Sequence, residues 1–95
     1  MYLSFEQIEA DDTVKDVSDL TVPANATGAE LQADTQDVRY TMDDNTDPSE
    51  SSGMILGTTH DPKEFLIMDV RRIRFIRGAG SNGKLNIHYF AGRDV

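Results

Sequence analysis

The chain has no cysteine and few large apolar side chains, and both absences limit its class. Without cysteine it can form neither a disulfide framework nor a thiolate site, which is consistent with a reducing compartment. Hydrophobic residues make up 38% of its 95 residues, below the usual apolar share, so we expect part of the chain to be ordered only by a partner. At this length we expect one domain with one modest core.

Long apolar runs are also missing. The N-terminal segment has neither the basic residues nor the apolar stretch of a signal peptide. No run approaches the roughly 18 residues that cross a bilayer. We therefore expect no role at a membrane.

Basic residues are scarce except near the C-terminus. Residues 1–69 hold 16 acidic and 3 basic side chains, whereas residues 70–95 hold 1 acidic and 6 basic ones. A domain with a net charge of −8 is a poor general binder of nucleic acid, because phosphate contacts dominate that affinity. The uneven charge instead favours contact with a protein partner or with another copy of the chain.

Several short segments alternate polar and apolar residues with a period of two, which is typical of half-buried strands. Residues 29–33 and 38–42 alternate in this way, and residues 54–56 and 64–68 are short apolar runs. About seven such strands with turns between them predict an all-β fold, a small single-domain antiparallel β-sandwich or a jelly-roll-like barrel. Residues 20–95 form the predicted sandwich, and residues 1–19 are either an acidic first strand or an arm ordered by a partner.

The clearest predicted element is a C-terminal β-hairpin over residues 71–90. Its apolar face carries Ile73, Phe75, Leu85, Ile87 and Tyr89, and Asn82-Gly83 is a favoured hairpin turn pair. The connecting residues 78–83 also match G-x-G-x-x-G. A phosphate loop needs a helix after the glycines, and here the next residues alternate as a strand, so we interpret the segment as a hairpin tip.

Asp43, Asn45 and Asp47 have the spacing of a calcium-binding loop. Pro48 stands where that loop needs glycine, and Met54 where it needs a bidentate glutamate. A solvated acidic turn is therefore the preferred interpretation, and a weak cation site is the alternative.

No catalytic arrangement can be assembled around the only two histidines, His60 and His88. We expect a turn role for His60 and an outward-facing strand position for His88. The sequence thus predicts no enzyme, no catalytic residues and no cofactor or metal.

Four arginines lie within seven residues near the C-terminus, and Arg72 and Arg74 are expected on the same face of one strand. The sequence leaves two interpretations of this cluster open. They form either a solvated face or a protein interface, since arginine is enriched at interface hot spots. Together with two aromatic residues of the N-terminal segment, they make up the candidate interface: Arg71, Arg72, Arg74, Arg77, Tyr2 and Phe5.

Residues 20–90 contain an ordered series of short motifs. It begins with Leu20-Thr21-Val22-Pro23, Ala29-Glu30-Leu31-Gln32-Ala33, Val38-Arg39-Tyr40-Thr41 and Asp47-Pro48-Ser49 running to Gly53. It closes with Ile73-Arg74-Phe75-Ile76 and Leu85-Asn86-Ile87-His88-Tyr89-Phe90. This series resembles that of small virion-associated proteins of tailed bacteriophages and prophages.

The resemblance implies a compact β-sandwich that is a structural part of the particle. The leading hypothesis is a capsid decoration or cement subunit that binds the major capsid protein or other virion proteins, in a homo-oligomer or in many copies. It would be assembled into the virion in the bacterial cytoplasm. The alternatives are a neck, adaptor or tail-associated component and, from another class, a host-surface or carbohydrate-binding module.

Overall fold

The computed structural model describes residues 1–92, and within them the chain forms eight strands. They are β1 (Tyr2–Ala10), β2 (Lys15–Asp16), β3 (Gly28–Asp34), β4 (Val38–Thr41), β5 (Met54–Leu56), β6 (Lys63–Leu66), β7 (Arg74–Arg77) and β8 (Gly83–Phe90). A 3-10 turn (Val17–Asp19) follows β2, and a single helical turn, α1 (Ile67–Val70), follows β6. No helix in this part of the chain is long and apolar enough to cross a membrane.

The strands make two four-stranded antiparallel sheets. Sheet A has the order β1-β8-β3-β6, and sheet B has the order β2-β7-β4-β5. The pairings β1 with β8, β2 with β7, β3 with β6 and β4 with β5 are nested, as in one long hairpin bent at the β4–β5 connection. Rolling that hairpin up adds the pairs β3 with β8 and β4 with β7. This order is that of a jelly roll, so the predicted all-β sandwich is confirmed.

The core lies between the two sheets and follows the predicted alternation. The five apolar residues assigned to the core face, Ile73, Phe75, Leu85, Ile87 and Tyr89, are all no more than 1% exposed. Ala29, Leu31 and Ala33 of β3 and Val38 and Tyr40 of β4 join the same cluster. Each strand therefore buries alternate residues, because successive side chains of a strand point to opposite faces.

The predicted C-terminal hairpin is wrong, although both of its strands exist. β7 belongs to sheet B and β8 to sheet A, so residues 78–82 cross between the sheets. β8 pairs along its length with β1 on one side and β3 on the other. A hairpin with the four-residue β7 would leave part of the backbone hydrogen-bonding groups of β8 without a partner. The apolar faces of β7 and β8 thus meet across the core and not side by side. Local turn residues and alternation indicate strands, but they do not determine which strands pair.

The N-terminal segment is part of the sandwich. β1 pairs with β8 from Tyr2 to Ala10, and Ala10 is fully buried. Residues 2–10 are thus a strand of sheet A, which is one of the two alternatives for the N-terminal segment. A smaller correction concerns residues 64–68, where the strand ends at Leu66 and α1 begins at Ile67.

Candidate interaction surfaces

The outer face of sheet B is covered by the connection between β4 and β5, here called the 43–53 loop. Arg39, on β4, donates from Nε to the carbonyl oxygen of Glu50 at 3.2 Å and from Nη1 to that of Gly53 at 3.1 Å. Two apolar residues outside the central core, Pro48 of the loop and Ile76 of β7, are buried. The loop thus covers Ile76 on this face, whereas Ile55, on the same face of β5, stays 43% exposed.

Two of the candidate interface arginines hold the same loop. Arg74 Nη1 donates to Asp47 Oδ1 at 2.8 Å, and Arg74 Nη2 donates to the carbonyl oxygen of Asp44 at 3.1 Å. Arg77 Nε lies 3.2 Å from Glu50 Oε1 without hydrogen-bond geometry, and Arg77 Nη1 donates to Asn82 Oδ1 at 2.9 Å. Both side chains are therefore engaged within the chain, and a role for them at a partner interface stays a prediction.

The acidic loop residues with calcium-like spacing organise a turn. Asp43 accepts hydrogen bonds from the backbone nitrogens of Asn45 and Thr46 and from the Thr46 hydroxyl. These bonds, the Thr46 hydroxyl first, lower the pKa of Asp43 to about 2. Within residues 1–92 no group of three or more acidic, histidine or cysteine side chains is arranged to hold a metal ion. The spacing is explained by the turn that Asp43 forms with its own backbone.

The glycine-rich segment 78–83 packs against the turn between β3 and β4. A Cβ on Gly78 would lie 2.7 Å from the carbonyl oxygen of Asp37, and one on Gly83 would lie 2.8 Å from that of Gln36. A Cβ on Gly80 would meet nothing within 4 Å. The segment leads into β8 and not into a helix. The outer two glycines are thus required where two sheet-crossing connections touch.

The histidines lie as the sequence indicates. His60 Nδ1 accepts a hydrogen bond from the backbone nitrogen of Gly57 at 3.1 Å, which is a turn contact. His88 lies on the outward face of β8. Its neighbours come from two other strands, which the sequence did not indicate.

The outer face of sheet A carries an aromatic cluster. The Tyr2 ring stacks on the His88 ring of β8, with ring centroids 4.0 Å apart. The Phe5 ring contacts the same His88 ring edge-on, with ring centroids 6.0 Å apart. Tyr2 and Phe5 reach the same face, three residues apart, because a bulge shifts the register of β1 between Tyr2 and Ser4. Phe5 is 58% exposed. Of the candidate interface residues, these two are thus adjacent to each other and distant in the fold from Arg74 and Arg77.

Next to the aromatic cluster, three amide side chains line up across β1, β8 and β3. Gln7 Nε2 donates to Asn86 Oδ1 at 2.7 Å, and Asn86 Nδ2 donates to Gln32 Oε1 at 3.5 Å. A shallow hollow of about 120 Å³ lies beside this row. It is lined by Phe5, Glu30, Gln32, Pro62, Asn86 and His88. Sequence reasoning missed all but Phe5, although alternation does place Glu30, Gln32, Asn86 and His88 outward.

A second exposed surface surrounds the single turn α1. Leu66 and Met68 are 63% and 65% exposed and line an apolar groove of about 250 Å³ with Ala26, Thr27 and Ile67. Arg71 and Arg72 are exposed in the turn that follows α1, so Arg72 does not share a strand face with Arg74. Neither makes an ion pair with any described residue. We call Leu66, Met68, Arg71 and Arg72 the α1 surface.

Tyr89, the tyrosine whose pKa is shifted most, lies inside the sandwich. Tyr89 is fully buried and donates its hydroxyl to Glu6 Oε2 at 2.6 Å, and Glu6 Oε2 also accepts from the backbone nitrogen of Thr21 at 2.8 Å. Burial, together with this hydrogen bond to a carboxylate, raises the pKa of Tyr89. The group tethers Thr21 to β1 and β8, which is a structural role.

Comparison with known proteins finds no family model that matches the chain, no curated protein similar to it and no solved structure similar to it. Arguments about function therefore rest on the residues and surfaces described above.

Proposed function

We propose that the chain is a non-enzymatic structural protein of a tailed-bacteriophage virion, and specifically a capsid decoration or cement subunit. It would attach to the major capsid protein in many copies and stabilise the shell through protein–protein contacts. Two lines of reasoning support this: the motif series of residues 20–90, and a jelly-roll architecture of the kind used by viral capsid domains, among others. Because one fold serves many functions, the proposal depends on a surface and not on the fold alone.

The observation that carries the proposal is the α1 surface. Leu66 and Met68 place two large exposed apolar side chains beside a groove. Arg71 and Arg72 follow α1 directly and are exposed in the turn after it. Arginine is enriched among interface hot spots, and exposed apolar side chains beside it offer surface that a partner can bury. The guanidinium groups have no ion-pair partner within the described chain, so they can pair with carboxylates of the shell.

The test is the composition of the particle. Virions of the phage that encodes the chain would be purified, and its copy number measured by quantitative mass spectrometry. Hundreds of copies are expected for a decoration subunit. A ring of six or twelve copies would instead favour the neck, adaptor or tail component, since such parts follow cyclic symmetry. Absence from the particle would overturn the virion assignment.

Variants locate the attachment surface. Met68→Glu combined with Arg72→Glu should leave folding intact, because both side chains are exposed, and should abolish binding of the purified chain to capsids. Met54→Glu is the matched control, since Met54 is 60% exposed on β5, in the other sheet. Equal binding by both variants would reject the α1 surface as the attachment site.

A further inference from the structure

We propose that the hollow on the outer face of sheet A binds one ring of a neutral saccharide. The inference does not depend on the virion assignment, because it uses a different surface. It rests on three features that the fold brings together there: an exposed aromatic ring, a row of amides and a carboxylate, and an acidic surrounding.

The aromatic part is Phe5 with its support. Phe5 is 58% exposed at the rim of the hollow, and its contact with His88 orients the ring. His88 is in turn stacked under Tyr2, whose hydroxyl donates to Glu30 Oε1. The C–H face of a sugar ring is apolar and flat, so it can cover such an aromatic ring and remove its surface from water. A ring restricted by such contacts loses less conformational entropy when it binds a ligand.

The polar part is the amide row. An amide side chain offers both donors and acceptors, and a carboxylate offers acceptors only. Asn86 is held between Gln7 and Gln32, and Gln32 Nε2 donates to no described residue. Glu30 lies in the same hollow as Gln32 and Asn86. Adjacent hydroxyls of a sugar, each donor and acceptor, match this combination of amides and one carboxylate better than a purely apolar ligand or an anion would.

Charge restricts the choice of sugar. Glu30 faces Glu64 across the β3–β6 pair, and Glu9 and Asp34 flank Lys84 on the same outer face. The face is therefore net negative and disfavours uronic or other acidic sugars. The hollow is also smaller than the usual 300–1,000 Å³ of small-molecule pockets, so the ligand must keep one side in solvent. A single ring of a neutral chain meets both conditions.

The experiment is an NMR titration of the ¹⁵N-labelled chain with cellotetraose, maltotetraose and tetra-N-acetylchitotetraose, and with tetragalacturonate as the anionic match. At least one neutral oligosaccharide should shift the amide signals of Phe5, Gln32, Asn86 and His88 in a saturable way. Tetragalacturonate should shift none of them. Absence of saturable shifts with every neutral oligosaccharide, or shifts confined to another surface, would overturn the proposal.

Variants distinguish binding in the hollow from non-specific binding to exposed apolar side chains. Phe5→Ala and Gln32→Ala should each weaken binding by about tenfold or more, since each removes one of the contacts described above. Met54→Ala removes an equally exposed apolar side chain from sheet B and should bind as the unaltered chain does. Unchanged affinity in both Phe5→Ala and Gln32→Ala would reject the site, and the thermal melt of each variant establishes that it is folded.

Discussion

The outer faces of the two sheets are each formed by four strands, but a loop folds over sheet B, whereas an aromatic cluster stays exposed on sheet A. On sheet B, three arginines hold the 43–53 loop over the strands, and Ile76 is only 6% exposed although it points away from the core. On sheet A, the outward Phe5 is 58% exposed and lies beside a hollow. The outward Ile76 is thus covered by the chain's own loop, whereas the outward Phe5 stays exposed. The difference is that the 43–53 loop folds back over Ile76 and is held there by arginines.

The four arginines of residues 71–77 also differ in their contacts. Arg74 and Arg77 contact loop carboxylates, whereas Arg71 and Arg72 make no ion pair with a described residue. Four arginines that are neighbours in sequence therefore divide into two that hold the loop and two that lie exposed outside β7.

The sharpest test replaces one outward apolar residue on each face. Ile76→Ala should cost about 2–5 kcal/mol of the free energy of unfolding, because it empties a buried site. Phe5→Ala should change it by no more than about 0.5 kcal/mol, since Phe5 is mostly in solvent. Urea unfolding of both variants measures the two values. Similar losses in the two variants would mean that the faces do not differ as described.

Removing the guanidinium that bonds the loop backbone should have the next largest effect. Arg39→Ala leaves the carbonyl oxygens of Glu50 and Gly53 without their charged donor and should cost about 1–3 kcal/mol. Hydrogen exchange of residues 43–53 should rise at the same time. Arg72→Ala is the control, and it should alter neither quantity because Arg72 is exposed outside β7. Unaltered exchange in Arg39→Ala would remove Arg39 from the loop's support.

The ion pair on the same face should matter less. Arg74 and Asp47 are 2.8 Å apart, but Asp47 is 66% exposed, so a double-mutant cycle with Arg74→Ala and Asp47→Ala should give a coupling of about 0–1 kcal/mol. The coupling should shrink further in 1 M salt, where screening acts over about 3 Å. A coupling that is large and independent of salt would show that solvent screens the pair much less than its exposure indicates.

The smallest expected effect is on how the free energy of unfolding depends on pH below pH 4. The pKa of Asp43 is lowered from 3.8 to about 2, so its turn stabilises the fold at pH values above its ordinary pKa, and this contribution is lost as the pH falls toward 2. Asp43→Asn keeps acceptors for the turn but carries no charge, and it should show a weaker loss of stability between pH 4 and pH 2. Some loss should remain, because hydrogen bonds also lower the pKa values of Asp16 and Asp11.

NMR titration of the Asp43 carboxyl group checks the value directly. A midpoint near pH 4 would show that the hydrogen bonds from Asn45 and Thr46 do not persist in solution.

Local patterns in the sequence account for much of the fold. Period-two alternation located β3, β4, β7 and β8 and the core residues on them. A strand that is buried on one face has apolar residues at every second position, so its burial can be read from the sequence. The departures from calcium-loop and phosphate-loop motifs also pointed to turns, and the structure has turns and close backbone contacts there.

Strand partners could not be read in the same way. The Asn82-Gly83 signal indicated a hairpin, and β7 and β8 instead lie in opposite sheets. The hollow was missed for the same reason, since Phe5, Gln32 and Asn86 are far apart in sequence and meet only through the β1-β8-β3 order.

The alternation of polar and apolar residues is enough to predict an all-β sandwich with Leu31, Phe75 and Tyr89 inside, because these properties depend on near neighbours in the chain. The strand order shows in addition that the sandwich is a jelly roll, that Arg39, Arg74 and Arg77 hold one loop, and that Phe5 lies beside Gln32 and Asn86. Those outcomes depend on which distant strands pair, and pairing is decided by how the whole set of apolar faces can be buried at once.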